Sequence, residues 1–232
     1  MNDSRVSVVM ATLNAERFLS ESLGSVAAQS MRPHEIIVVD GGSTDATLDI
    51  AASFPGTRII QQKTQGFAMA WNEGIQAAEG SLIALIDADD RWPSGKLQHQ
   101  IHRMNQSPAL DAVMGHVRFF LTGVAPPHFK PELLQSTHPG LMPGALLARR
   151  SLFDRVGWFE SRWTIAGDVD WFARLVDRRV PFAMLDEVVL EKRVHDSNLS
   201  YTAARTPVVR REIIEALRDS ILRKRKRQMD PS

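Results

Sequence analysis

The chain has 232 residues, 44% hydrophobic and 24% charged, with a formal net charge of +1; this is ordinary for a globular protein with one sizeable core. It contains no cysteine, which excludes disulfides, thiolate metal sites and a cysteine nucleophile. The N-terminus does not read as a secretory leader and no apolar stretch is long enough to span a bilayer, so the cytoplasm is the expected compartment.

In chain order, residues 6–10 predict a buried strand. Asn14 is expected to cap a helix that turns Phe18, Leu19, Leu23 and Val26 inward. Residues 35–40 predict a second buried strand, followed by a tight turn at Gly41-Gly42-Ser43 and a helix through Leu48 and Ile50. Residues 58–61 predict a short third strand, 67–78 a helix and 82–87 a fourth strand. Strands alternating with helices imply a mostly parallel sheet covered on both faces. Pro93 fits the first turn of a helix running to Asn105, and 111–120 predict a strand. Residues 122–144 hold five prolines and three glycines and read as a loop or lid rather than a packed element. Residues 151–156 and 167–177 predict helices, and 182–185 and 188–190 two strands flanking a turn. Thr206-Pro207 is expected to open a last helix with Val209, Ile213, Leu217 and Ile221 in one apolar stripe.

The strongest chemical signal closes the fourth strand. The apolar run 82–86 ends in Asp87-Ala88-Asp89-Asp90, three carboxylates within four positions. Buried carboxylates are costly unless paired or metal-bound, and open α/β sheets bind ligands at the C-terminal ends of their strands. Asp87 and Asp89 can share one hard cation through oxygen, and that cation can hold a diphosphate; the alternative is a solvated acidic turn. Thr12 and Asn14 offer a polar edge to a base or ribose, or simply a helix cap. The Rossmann GxGxxG fingerprint is absent. Asp40, ahead of Gly41-Gly42-Ser43, can accept from a base N–H or a ribose hydroxyl, or organise its own turn. Gly66 precedes a helix start, a place for phosphate or sugar. Asp168 and Asp170 suit a helix N-terminus electrostatically, and one of them can also serve as a general base. His195 follows a strand as a metal or phosphate contact, or as neither; the six other histidines form no HExxH pattern, which argues against a zinc hydrolase.

These pieces, in this order, resemble the family 2 glycosyltransferases of the GT-A fold. Residues 38–45, VVDGGSTD, look like the family's VVDDGSTD with Gly41 in place of the second aspartate. Residues 66–74 and 80–90 look like its stretch leading into the D-x-D motif. Residues 147–153 and 156–160 resemble its acceptor-side half, and Asp168-Val169-Asp170-Trp171 its (E/D)-D-x-D-W segment, with Gly167 where many members carry Glu or Asp. The likeness covers roughly 5–200. It implies a GT-A domain over 1–205, with a nucleotide-sugar half (about 1–92) and an acceptor half (about 93–205), then a C-terminal helix and basic tail over 206–232.

The resemblance also implies roles. Thr12, Asn14 and Asp40 would hold the nucleotide, and Gly66, Asp87, Ala88 and Asp89 would meet the ribose, sugar and diphosphate. Mg²⁺ or Mn²⁺ would sit on Asp89, Asp87 and His195, with His195 also within reach of the diphosphate, and Asp168 would be the catalytic base. The implied reaction is inverting transfer from a UDP-, GDP- or dTDP-sugar to a hydroxyl of a sugar, glycan or glycolipid acceptor, in polysaccharide, cell-surface glycan or glycolipid synthesis. A sugar nucleotidyltransferase would need a basic glycine-rich loop that 11–17 lacks. A non-catalytic nucleotide-sugar-binding subunit would not need both Asp89 and Asp168. The run Arg223-Lys224-Arg225-Lys226-Arg227 leaves the remaining chain mildly acidic, against a nucleic-acid partner. It suits peripheral contact with an anionic inner membrane face at about 1 kcal/mol per charge, or a plain solvated tail.

Overall fold

In the computed structural model, which describes residues 4–127, 129–198 and 207–229, one eight-stranded sheet organises the chain. Strands β1 (Val6–Thr12), β2 (Glu35–Asp40), β3 (Thr57–Gln61) and β4 (Leu82–Asp87) run parallel in the order β3-β2-β1-β4. Every residue of β1 is buried, as expected of a strand covered on both sides. Because successive side chains alternate faces, Val9, Ala11, Ile37, Val39, Ile83 and Leu85 join one core layer. Val8, Met10, Ile36, Val38, Ala84 and Ile86 join the other. Helices α1 (Leu19–Ala27), α2 (Thr47–Ala52) and α4 (Lys96–Gln106) cover the second layer, while α3 (Phe67–Ala77), α5 (Ser151–Val156) and α6 (Gly167–Asp177) cover the first.

The sheet continues through β7 (Leu147–Arg149), antiparallel to β4, and β5 (Ala112–Leu121), antiparallel to β7. Two neighbours then share β5: β6 (Thr137–Pro139) antiparallel, and β8 (Phe182–Val194) parallel. Helix α7 (Pro207–Met229) lies against α6.

Four expectations are corrected. Asn14 does not cap α1, which starts at Leu19; it adopts a left-handed backbone (φ 48°) and its side-chain oxygen accepts the Thr44 N–H at 2.9 Å. Residues 122–144 are not simply a lid. β6 pairs with β5, and Pro143, Gly144 and Ala145 form a buried 3₁₀ turn. Three of its prolines fall where they cost least, Pro139 at the end of an edge strand and Pro131 and Pro143 at the first positions of short 3₁₀ turns. The two expected strands around a turn are one strand, β8. The step from Met114↔Met184 to His116↔Val188 sets four residues of β8 against two of β5, so Asp186 and Glu187 are absorbed as a bulge. The apolar stripe expected on α7 is not its packed face. Val209, Glu212, Ala216 and Ser220 are buried, whereas Ile213, Leu217 and Ile221 are exposed. Thr206, its expected cap, lies outside the described residues.

Candidate functional site

The C-terminal ends of β1, β2 and β4 lie side by side, with Thr12 opposite Asp40 and Ala11 opposite Asp87. Asp40 and Asp87 therefore flank β1 rather than each other. The chain leaves β1 for β2 on one side while β4 lies on the other, the switch point where open α/β sheets bind ligands. A cleft of about 1320 Å³ opens there, with Thr12, Asn14, Gly66, Asp87, Ala88, Asp89, Asp168 and His195 in its wall.

Asp40 is the exception among the expected contacts. It is fully buried, and its oxygens accept from Gly42 N and Ser43 N (both 2.9 Å), Ser43 Oγ (2.5 Å) and Thr12 Oγ1 (3.3 Å). It is not part of the cleft wall and, as placed, shapes the turn that is. Asn14, tied to that turn through Ser43 and Thr44, does face the cleft. Gly66 starts α3 at φ 112°, a conformation only glycine adopts without strain. Asn72 is structural: its side chain donates to Phe159 O at 2.8 Å and accepts from Phe159 N at 3.1 Å, tying α3 to the second half of the fold. His138 packs edge-on to Phe119 in β6 and is not in the cleft wall.

The acid cluster has an internal counter-ion absent from the sequence expectations. Lys192 Nζ, from β8, lies 3.0 Å from Asp90 Oδ2 and 3.3 Å from Asp87 Oδ2. Asp90 also accepts the Arg193 N–H at 2.8 Å, and Arg193 Nε donates to Asp89 O at 2.7 Å while its guanidinium pairs with Glu21. Burial pushes the Asp90 carboxyl up to about 7 although Lys192 opposes it. Burial also raises Asp87, with the Asp89 charge adding to it and Lys192 opposing. For Asp89, burial works against the charged form, but the His195 hydrogen bond and the Lys192 charge hold it below the ordinary carboxylate range. Burial would lower Lys192; the three carboxylates instead hold it well above the usual lysine range.

Carboxylate oxygens of Asp87, Asp89 and Asp90 lie within 4.8 Å of one another, and Asp87 Oδ1 is buried with no hydrogen-bond partner among the described residues. An orphaned buried carboxylate oxygen beside a second carboxylate is a fitting donor set for a hard divalent cation. His195 takes a different place from the expected ligand. Its Nε2 lies 3.0 Å from Asp89 Oδ2 and its Nδ1 3.0 Å from Ser197 Oγ, so both ring nitrogens are engaged. Asn198 Nδ2 donates to the same Asp89 oxygen at 3.1 Å. His195 and Asn198 thus orient Asp89, as outer-shell partners do in metal sites.

In the same cleft wall, Asp168 stands in the first turn of α6, half-buried, with Oδ1 accepting the Val169 N–H at 2.7 Å. Burial raises its carboxyl above the ordinary range; the Asp87 charge adds to this, and the Val169 N–H opposes it. Asp170 faces away, fully buried against Arg174 at 2.8 Å, so of the two aspartates only Asp168 is offered to a ligand. The residues missed from sequence, Lys192 and Asn198, lie either side of His195. Their one signal was the density of polar residues in 191–198 after an apolar run.

A model described as Glycosyl transferase family 2 matches residues 7–185. An uncharacterized glycosyltransferase of Rickettsia typhi is 31% identical over 218 residues, covering 85% of this chain and 66% of that protein. The chain spans two thirds or less of the length of the first curated relatives it matches. Among solved structures, S. aureus TarS in complex with UDP-GlcNAc superposes with a TM-score of 0.74 at 21% identity, over 94% of this chain and 66% of that one. Mycobacterium tuberculosis glucosyl-3-phosphoglycerate synthase, in complex with Mn²⁺, UDP and glucosyl-3-phosphoglycerate, gives 0.64 at 19% identity, over 93% and 79%. At these identities the likeness is one of fold.

Proposed function

Because the chain belongs to glycosyl transferase family 2, we propose that it moves a sugar from a nucleotide-diphosphate donor to an acceptor hydroxyl, with inversion, in the synthesis of a glycan or glycolipid. One observation carries the reading: a cation-ready carboxylate pair, Asp87 and Asp89, shares a cleft with a second, separately held carboxylate, Asp168.

Asp87 and Asp89 would hold a divalent ion, Mg²⁺ or Mn²⁺, which supplies Lewis-acid neutralisation of the charge that builds on a departing diphosphate. Lys192 adds a fixed positive charge to the same wall. Thr12, Asn14 and the turn built on Asp40 form the edge offered to the nucleotide, and Gly66 leaves room at the start of α3. Asp168 takes the acceptor's proton as attack proceeds. Its raised affinity for a proton suits a base that must capture one.

The test is nucleoside diphosphate release by purified protein with Mn²⁺ and, in turn, UDP-, GDP- and dTDP-sugars, with the product anomer read by NMR. Release from one donor class, with an inverted product in the presence of acceptor, supports the reading. Pyrophosphate as product would instead indicate a nucleotidyltransferase, and binding without release a non-catalytic subunit.

The outer face of α7 supports contact with an anionic bilayer. Ile213, Ile214, Leu217 and Ile221 are exposed there among exposed Arg210, Arg211, Arg218, Lys224 and Arg225. Apolar side chains set among basic ones suit the boundary of an anionic leaflet. Not all of the basic run is free for this: Arg223 pairs with Asp177 at 2.9 Å and Lys224 approaches it at 3.5 Å. Sedimentation with phosphatidylglycerol vesicles, lost in high salt and in an Ile214→Ser, Leu217→Ser, Ile221→Ser variant, is the expected result. Equal binding to neutral vesicles would refute the charge argument.

A further inference from the structure

Helix α6 is entered through a segment gripped from elsewhere in the chain. The first N–H groups of a helix have no partner within it, and a nearby Ser, Thr, Asp or Asn normally takes them. Here the cap position is Ala166, with no side-chain bond of its own. What is held is the backbone just ahead of the helix, and it is held from α7, some forty-six residues downstream. Glu212 Oε1 accepts the Thr164 N–H at 3.0 Å, and Oε2 accepts the N–H groups of Ile165 at 3.0 Å and Ala166 at 3.2 Å. Glu212 is 5% exposed. Burial works against its charge, yet these N–H groups hold its carboxyl below the ordinary range.

The same segment is held at other points. Trp163, Ala166 and Ala216 form a small apolar cluster, and Arg162 reaches Asp219 at 2.8 Å. Further along, Arg223 and Ser220 bind Asp177 at the far end of α6. The residues so gripped lead directly into the cleft: Ile165 and Asp168 line it, while Glu212 does not. Helix α7 lies outside the residues matched by the family model.

We propose that Glu212 is a positioning residue for transfer: its carboxylate, delivered by α7, fixes the segment 164–166 and thereby the place of Asp168 in the cleft. The inference rests on reading Asp168 as the base. A displacement of about 1 Å at a reacting group is enough to cost on the order of a hundredfold in rate. Among the described residues Glu212 hydrogen-bonds to Thr164, Ile165 and Ala166 and not to the donor wall of β1, β4 and β8, so donor binding should be independent of it.

The experiment uses the full chain and compares Glu212→Ala and Glu212→Asp with Ser220→Ala. The last removes the hydrogen bond from α7 to Asp177 at the far end of α6 and serves as the control for a merely structural role. For Glu212→Ala we expect kcat to fall about ten- to a hundredfold, with nucleotide affinity and donor KM within about twofold. Amide exchange should speed up over 164–168 and not along β4. Glu212→Asp should recover part of kcat, and Ser220→Ala should lower Tm with kcat retained. Unchanged kcat in Glu212→Ala overturns the proposal, as does a loss that Ser220→Ala reproduces at equal Tm. If Glu212→Ala does not fold, Glu212→Asp carries the same test, with unchanged kcat and unchanged exchange over 164–168 as the overturning result. Wild-type protein that transfers no sugar would be a different failure, that of the functional reading, and would be visible before any variant is made.

Discussion

Asp168→Asn separates chemistry from binding most cleanly. Asparagine keeps the shape and an oxygen for the Val169 N–H at 2.7 Å, so the start of α6 need not move. What disappears is a carboxylate that can accept a proton. A positioned general base contributes about 10²–10⁴ in rate, which at ~1.36 kcal/mol per tenfold corresponds to about 2.7–5.4 kcal/mol of lost transition-state stabilisation. Donor binding should hold or tighten, because a negative charge leaves a cleft that must accept a diphosphate. The pH profile adds an independent sign. Asp168 is raised by burial and by the Asp87 charge, and a base works only when deprotonated. Wild-type kcat should therefore fall on acidification at a higher pH than an exposed aspartate would give, and the residual rate of the variant should lack that limb. The assay is nucleoside diphosphate release under saturating donor and acceptor, with nucleotide affinity by calorimetry. Near-wild-type kcat, or a loss explained wholly by weaker donor binding, would refute the assignment.

Asp89→Ala should abolish Mn²⁺-dependent strengthening of nucleotide binding while leaving metal-free binding little changed. His195→Ala, which removes the group 3.0 Å from Asp89 Oδ2, should weaken Mn²⁺ binding by roughly 10–100-fold; both are read by manganese titration, and unchanged Mn²⁺ affinity in either would count against the cluster. Lys96 is fully buried and among the described residues has no partner for Nζ beyond the face of Trp92 at 4.6 Å, so Lys96→Met should stabilise the fold by about 1–3 kcal/mol in thermal unfolding. Burial holds that ammonium well below the usual lysine range. The folded state therefore binds fewer protons than the unfolded one below the ordinary lysine value, and the variant's advantage should shrink as pH rises toward it. Gly74→Ala would place a Cβ 2.3 Å from Val9 Cγ1 and 3.0 Å from Val39 Cγ2. Overpacking of about 1–3 kcal/mol should offset the roughly 1 kcal/mol helical gain of alanine, lowering Tm and pushing α3, with Gly66, out of register with the cleft.

Local pattern was enough for much of the nucleotide-side half. Apolar runs at β1, β2 and β4, interrupted in β1 only by Ser7 before Met10, announced strands buried on both faces, and the carboxylates after Ile86 announced where those strands open onto a ligand. Each is a property of neighbouring residues: a continuous apolar run, or a charge at its edge. The resemblance to a known family was carried by the same short stretches.

What escaped the sequence depends on partners far away along the chain. Asp40 reads as a ligand contact until its four hydrogen-bond donors close around it. Lys192 is one cation among many until β8, paired to β5, brings it to Asp87 and Asp90, about a hundred residues earlier. Two apparent strands become one because β5 continues beside them. The stripe on α7 has helical spacing, but Glu212 and Ala216, not Ile213 and Leu217, fit the surface α6 offers, and packing decides which side of a helix is inside. Sequence by itself determined the elements of the nucleotide-side half and the chemical inventory, because both are set by residues within a turn or two of each other. Only the tertiary structure decided which charges meet, since a buried carboxylate takes its role from whatever donor the fold delivers to it.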